Sequence, residues 1–135
     1  MPPLTHEEFS SYVKAIAAST PCVQSIWLFG SRANGTSTTS SDYDILVFGN
    51  PLTFGTLRFN TELHRSNVDL LVVTDGNLFS NAWGAKVKSG SLLRWEWKTT
   101  SEMQSCYVEH KWVENKESAD ILSACRHAIK VWPAL

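Results

Sequence analysis

The sequence predicts an α+β fold, a mixed β-sheet with helices packed against it, and three observations carry that prediction. Apolar runs of strand length stand at residues 26–29, 45–48 and 68–73. Segments with helical spacing of apolar residues precede and separate them. Each run stops at turn-forming residues, Gly30-Ser31, Gly49-Asn50-Pro51 and Thr74-Asp75-Gly76-Asn77. Helices that alternate with strands in this way bury one face each on a common sheet.

Taken in order, Thr5-His6-Glu7-Glu8 reads as a capping box, with Thr5 as the N-cap and Glu8 reaching back to it. The helix it opens carries Phe9, Tyr12, Val13, Ile16 and Ala17 on one face and ends near Pro21. Strands are predicted over 22–29 and 42–48, followed by a loosely patterned helix over 53–65 that returns the chain to a third strand, 68–73. The unbroken apolar character of that third strand predicts burial on both faces. A helix with Leu78, Phe79, Ala82, Trp83 and Val87, closed by Gly90, is expected next, and then a strand over 91–97. Residues 101–113 fit a helix or a strand equally well. In 115–132 the stripe Ile121, Leu122, Cys125, Ala128, Ile129 and Trp132 predicts a helix stopped by Pro133.

With 135 residues and 43% hydrophobic content, one domain over 1–135 with a real core is expected. Twelve basic and thirteen acidic residues give a net charge of −1. No strong cationic field therefore draws the chain to nucleic acid or anionic lipid, and a small substrate or a protein partner is favoured. Cys22, Cys106 and Cys125 are odd in number and show no CxxC spacing, which argues against a disulfide framework or a zinc knuckle. Buried, reduced thiols are expected. No apolar stretch reaches membrane-spanning length and residues 1–8 lack the pattern of a signal peptide, so a cytoplasmic location is expected.

The chemistry concentrates in residues 25–48, a strand, a Gly-Ser turn, a hydroxyl-rich loop and a second strand headed by Asp42-Tyr43-Asp44. Side chains alternate along a strand, so Asp42 and Asp44 project from one face. Two carboxylates that close repel each other unless a cation lies between them. With neither Cys nor His nearby, a hard divalent ion such as Mg²⁺ suits the oxygen ligands better than zinc. Gly30 allows backbone amides to approach a bulky anion without an intervening Cβ, and Ser31 adds a hydroxyl at a short helix start. A cation site beside an anion cradle is what a metal-bound nucleoside triphosphate requires.

Gly30-Ser31, the ten residues 32–41 and then Asp42-x-Asp44 leading into an apolar strand resemble the signature of the DNA polymerase beta-like nucleotidyltransferases, most closely the compact minimal nucleotidyltransferases. The resemblance covers about residues 5–97 and leaves 98–135 as a C-terminal extension. It implies a nucleotidyltransferase fold and a third carboxylate on the next strand, which Asp69 supplies in Asn67-Val68-Asp69-Leu70. On the family pattern Asp42, Asp44 and Asp69 bind Mg²⁺, or Mn²⁺ in its place, and Asp69 is also the general base. Gly30, Ser31 and Arg32 bind the nucleotide, ATP or another nucleoside triphosphate. Such an enzyme transfers a nucleoside monophosphate to a hydroxyl and releases pyrophosphate. Minimal nucleotidyltransferases of this size often act as antitoxins that modify a HEPN-type toxin, which implies a protein acceptor in a toxin-antitoxin pair.

Two alternatives stay open at this stage. Arg32 either reaches a triphosphate oxygen or pins the loop to a neighbouring carboxylate. Related minimal domains often carry a second basic residue where this chain has Asn34, so a non-catalytic binding module with the same fold competes with the enzyme. His6, His64, His110 and His127 are scattered and read as surface or satisfied histidines, and the tryptophans as packing residues.

Overall fold

The computed structural model describes residues 3–114 and 119–133, and for 110–114 and 119–123 the course of the backbone alone. The elements follow the order α1 (His6–Ser19), β1 (Ser25–Phe29), α2 (Ser31–Asn34), β2 (Tyr43–Phe48), α3 (Pro51–Phe59), a 3₁₀ turn (Thr61–Leu63), β3 (Val68–Val73), β4 (Leu78–Asn81), β5 (Ser89–Ser91), β6 (Lys98–Ser101), β7 (Gln104–Glu114) and β8 (Ala119–Trp132). The strands form one sheet in the spatial order β5-β4-β3-β2-β1-β8-β7-β6. β2 and β3 run parallel, joined by the α3 crossover, and the neighbouring pairs around them are antiparallel. The fold is thus α+β with a mixed sheet, as expected from the alternation of elements.

Helices cover one face. The capping box opens α1 as predicted, with Glu8 N–H donating to Thr5 Oγ1 and Thr5 N–H to Glu8 Oε1, each at 3.1 Å. Tyr12, Val13 and Ile16 of α1 bury against Ile26, Ile45, Val47, Leu70 and Val72 of the sheet. Asn50 caps α3 and Pro51 occupies its first turn, where no backbone donor is lost. Val68, Leu70, Leu71, Val72 and Val73 are all buried, so β3 is covered on both faces as its sequence predicts.

Among the described residues, no helix packs on the core of the opposite face. That face is covered by Trp95 and Trp97 of the turn after β5 and by Tyr107 of β7, which pack on Trp27, Phe29, Leu46, Leu71 and Val73. Trp27 to Trp97 and Phe29 to Tyr107 meet edge-on, at 5.4 Å and 6.0 Å between centroids, while Trp97 stacks on Tyr107 at 6.3 Å. Side-chain alternation places Asp44 with Leu46, and Asp69 with Leu71 and Val73, on this helix-free face.

Several expectations from sequence are corrected. The helix expected over 78–90 is the hairpin β4–β5. Val87 and Leu78 are 90% and 54% exposed, so their helical spacing marks no buried face. What decides the conformation is the open edge of β3, whose backbone groups need partners and take them from Leu71 through Val73 paired with Asn81 through Phe79. Of the strand expected over 91–97, Ser91 closes β5 and the rest is a turn region docked on the aromatic face. Of the helix expected over 115–132, residues 119–132 are the strand β8, hydrogen-bonded to β1 on one side and β7 on the other, and 115–118 lie outside the described residues. Ala128 is fully buried while Ile129 is 38% exposed, the two-residue period of a strand. Residues 101–113, open from sequence, are mostly strand. Side chains of His110, Trp112, Ile121 and Leu122 lie outside the described residues. The cysteines are free, but Cys22 and Cys125 are exposed and Cys106 is half-buried, so the buried thiols expected from sequence are not found.

The strand assignment of β8 makes a sharp prediction. Ala128→Leu overpacks the interior and costs about 1–3 kcal/mol, whereas Ile129→Ser costs below about 1 kcal/mol. Urea melts of the two variants check it, and a helical 115–132 would make both positions comparably sensitive.

Candidate functional site

Three adjacent strands deliver the site. Phe29 pairs with Asp44 across β1–β2, and Asp44 pairs with Asp69 across β2–β3, so the two carboxylates stand side by side on the helix-free face. Asp42, one residue before β2, is exposed at the same end. Gly30 ends β1 and caps α2 with φ +70°, a left-handed conformation that side chains disfavour. A Cβ on Gly30 would overlap Oδ2 of Asp44, so glycine is required there for the close approach as well as for the backbone angle. The short helix expected at Ser31 is present as α2.

The groups around the turn are committed to holding it. Gly30 N–H donates to Tyr107 Oη at 2.9 Å. Asn34 Nδ2 donates to the carbonyls of Gly30 at 2.7 Å and His127 at 3.0 Å, while Asn34 Oδ1 accepts from His127 N–H at 2.8 Å. The Asn34 amide thereby extends the β1–β8 pairing past the point where β1 has ended. Arg32 pins the loop, though to a backbone carbonyl and not to the carboxylate that the sequence suggested. Its Nη2 donates to the Ser41 carbonyl at 2.8 Å and its guanidinium lies over the Tyr43 ring at 4.4 Å.

Electrostatics follow from the packing of like charges. The Asp44 carboxyl is pushed up to about 7, chiefly by burial and then by Asp69 and Asp42, with Lys88 opposing the rise. Lys88 Nζ donates to Asp69 Oδ2 at 2.5 Å, and that bond holds Lys88 above its usual value. Lys88 is aimed by Asn81, a buried side chain that accepts from Lys88 N–H at 2.8 Å and donates to the carbonyls of Trp83 and Lys86. The Tyr107 hydroxyl is raised mainly by burial.

Among the described residues, no three Asp, Glu, His or Cys side chains are gathered into a ready-made metal set. The donor chemistry nevertheless suits a hard divalent ion. Asp42, Asp44 and Asp69 offer oxygen only, the charges of Asp69 and Asp42 help raise the proton affinity of Asp44, and the Lys88 ammonium already stands at Asp69 as a cation.

A cleft of about 380 Å³ opens beside Asp44, between the Gly30-Ser31 turn and the β7–β8 hairpin. Its far wall is made by Trp95, which the sequence marks as a packing residue, and by Tyr107, Glu109 and Arg126, which it does not single out. Tyr107 and Glu109 have strand spacing within 101–113, the one signal available for them. Lys88 and Arg126 had none, because only strand pairing brings them to the carboxylates and the turn.

These features define a nucleotidyltransferase-like α+β fold, with the Gly-Ser turn and the Asp-x-Asp strand at its centre. The family model described as "Polymerase beta, Nucleotidyltransferase" matches residues 12–64, a stretch that contains Gly30, Ser31, Asp42 and Asp44 and stops short of Asp69. The resemblance read from the motif therefore holds at the level of the DNA polymerase beta-like superfamily. A candidate nucleotidyltransferase from Sulfolobus solfataricus, solved as a crystal structure, is 30% identical with a TM-score of 0.42, over 50% of this chain and 65% of that one. This chain thus spans just under two thirds of that relative. No curated protein matches it.

Two predictions come from this geometry. Gly30→Ala combines an unfavourable backbone angle with overlap at the Asp44 carboxylate, and is expected to cost about 2–4 kcal/mol in denaturant melts. The second concerns pH. Asp44 titrates near 3.8 when unfolded and about 7 when folded, so between these values the folded state keeps a proton that the unfolded state has released. Its contribution to stability is full below the lower value and is lost as pH rises through the upper one. Without metal, Asp44→Asn is then expected to melt above the wild type by an amount that grows from pH 5 to pH 8 and reaches on the order of 2 kcal/mol. Melts in EDTA at the two pH values read it directly.

Proposed function

We propose that this chain is a metal-dependent nucleotidyltransferase that moves a nucleoside monophosphate, AMP from ATP, onto a hydroxyl group. The observation that carries the reading is the register of Asp44 and Asp69 on neighbouring strands, with Gly30 seated against the Asp44 carboxylate. Asp42, Asp44 and Asp69 would hold the divalent cation, which when bound offsets the charge of the triphosphate and of the leaving pyrophosphate.

The chain's own groups account for the remaining work. The Gly30-Ser31 turn, braced by Tyr107 and Asn34, presents one wall to the phosphates without a side chain in the way. Asp69 accepts the proton of the attacking hydroxyl as its oxygen forms a bond to the α-phosphorus. The bond between the α-phosphorus and the bridging oxygen breaks, and pyrophosphate leaves with that electron pair. Lys88 must first release Asp69, and with its side chain 55% exposed it has room to swing into solvent.

For the acceptor we favour a protein hydroxyl, in a HEPN-type partner of the kind the minimal nucleotidyltransferases modify. The open cleft supports this, because a docked protein brings its own surface to positions a small molecule would leave wet. The competing reading, a binding module without turnover, is favoured by the Lys88–Asp69 ion pair, which occupies the proposed base.

The test is incubation with ATP labelled at the α- or the γ-phosphate, Mg²⁺ and the co-encoded protein. Transfer of the α label with pyrophosphate release, lost in Asp69→Asn and in Asp42→Asn/Asp44→Asn, is the expected result. Transfer of the γ label would mean a kinase. Tight MgATP binding without transfer to any hydroxyl acceptor would favour the module.

A further inference from the structure

A triphosphate needs cationic side chains as well as amides, and the motif's own polar residues are already engaged. Arg32 holds the Ser41 carbonyl, Asn34 holds the backbone of β8, and the Gly30 amide is bonded to Tyr107. The cleft beside the turn still carries a cation, and it comes from the far end of the chain. Arg126 on β8 pairs with Tyr107 on β7, and the Tyr107 hydroxyl on Gly30 sets that rung of the hairpin against the Gly-Ser turn. Ser31, Thr36, Asp44 and Arg126 consequently line one cavity.

We propose that Arg126 is the phosphate-gripping cation of this site, supplied by the C-terminal strand in place of the basic residue that the motif lacks. The inference rests on the nucleotidyltransferase reading and assigns the polyphosphate of the nucleotide to the hairpin side of the cleft. Among the described side chains lining that cleft, Asp44 and Glu109 are acidic and Arg126 alone is basic. Without Arg126 the wall would present only negative charge to a polyanion. A planar guanidinium also matches two phosphate oxygens at once, which a point charge does not.

Glu109 gives the arrangement its rest state. Its Oε2 accepts from Arg126 Nε at 3.0 Å, on a pair whose side chains are 36% and 33% exposed. The carboxylate keeps the guanidinium extended in the cleft instead of free in solvent, and it competes with the incoming phosphate. The nucleotide has to win Arg126 from Glu109, which a charge of several units can do and a neutral nucleoside cannot. The Arg126 side of the site therefore selects for a polyphosphate over a neutral nucleoside.

Titration calorimetry of the intact chain with MgATP, with tripolyphosphate alone and with adenosine alone tests the idea. Arg126→Met is expected to weaken MgATP and tripolyphosphate by roughly ten- to a hundredfold while adenosine is unaffected. Arg126→Lys should recover part of the loss. Glu109→Gln, which removes the competitor, should bind MgATP more tightly than the wild type. A folded Arg126→Met, verified by near-ultraviolet circular dichroism, that binds MgATP as the wild type does would overturn the proposal. Should that variant fail to fold, Arg126→Lys and Glu109→Gln decide it: the first must weaken MgATP and the second must not, and the reverse order sinks the assignment. A wild type that binds neither MgATP nor tripolyphosphate would instead reject the nucleotidyltransferase reading on which the inference stands.

Discussion

The close approach of Gly30 to the Asp44 carboxylate is the constraint on which the rest of the site depends. It requires β1 to end where β2 begins, in the register that pairs Phe29 with Asp44, and it requires a residue without a Cβ at a positive φ. Once that register is set, the parallel pairing of β2 and β3 brings Asp69 beside Asp44. A slip of one residue in either strand would turn a carboxylate into the helix-covered core, where Ile45 and Leu70 are fully buried.

Gathering carboxylates has an electrostatic cost, and the fold meets it in two ways within the described structure. Asp44 holds its proton far above the usual carboxylate range, and Lys88 reaches Asp69 from the β4–β5 hairpin. Both are responses to the same crowding, and both would be relieved by a divalent cation. The stapling of residues 81–88 by Asn81 shows that the lysine is delivered by built structure, since three of the Asn81 hydrogen bonds serve that loop. The helix-free face is otherwise closed by aromatic rings, which keep the carboxylates at the rim of an apolar surface.

The C-terminal hairpin changes the meaning of the motif. From sequence, Asn34 looked like a weakened phosphate contact. In the fold it is the hinge of the site to β8, because its amide supplies the donor and acceptor that β1 no longer provides. The Tyr107 hydroxyl likewise accepts the Gly30 N–H. Tyr107, Glu109, Arg126 and His127, from the extension that the resemblance left aside, thus brace the turn and form most of the far wall of the cleft.

Sequence alone determined the parts whose signals are local. The capping box at Thr5, the strand 68–73 buried on both faces, the turn at Gly30-Ser31 and the Asp-x-Asp strand all depend on neighbouring residues, and each is found where the pattern placed it. Only tertiary structure decided the conformation of 78–91 and 119–132. In both, apolar spacing suited a helix, and the backbone groups left open along the edges of β3 and β1 claimed the segments as strands instead. The same long-range pairing placed Tyr107, Glu109, Arg126 and Lys88 at the site. Hydrogen bonds between residues far apart in the chain leave no periodic trace in it, so those four side chains became visible only when the sheet was assembled.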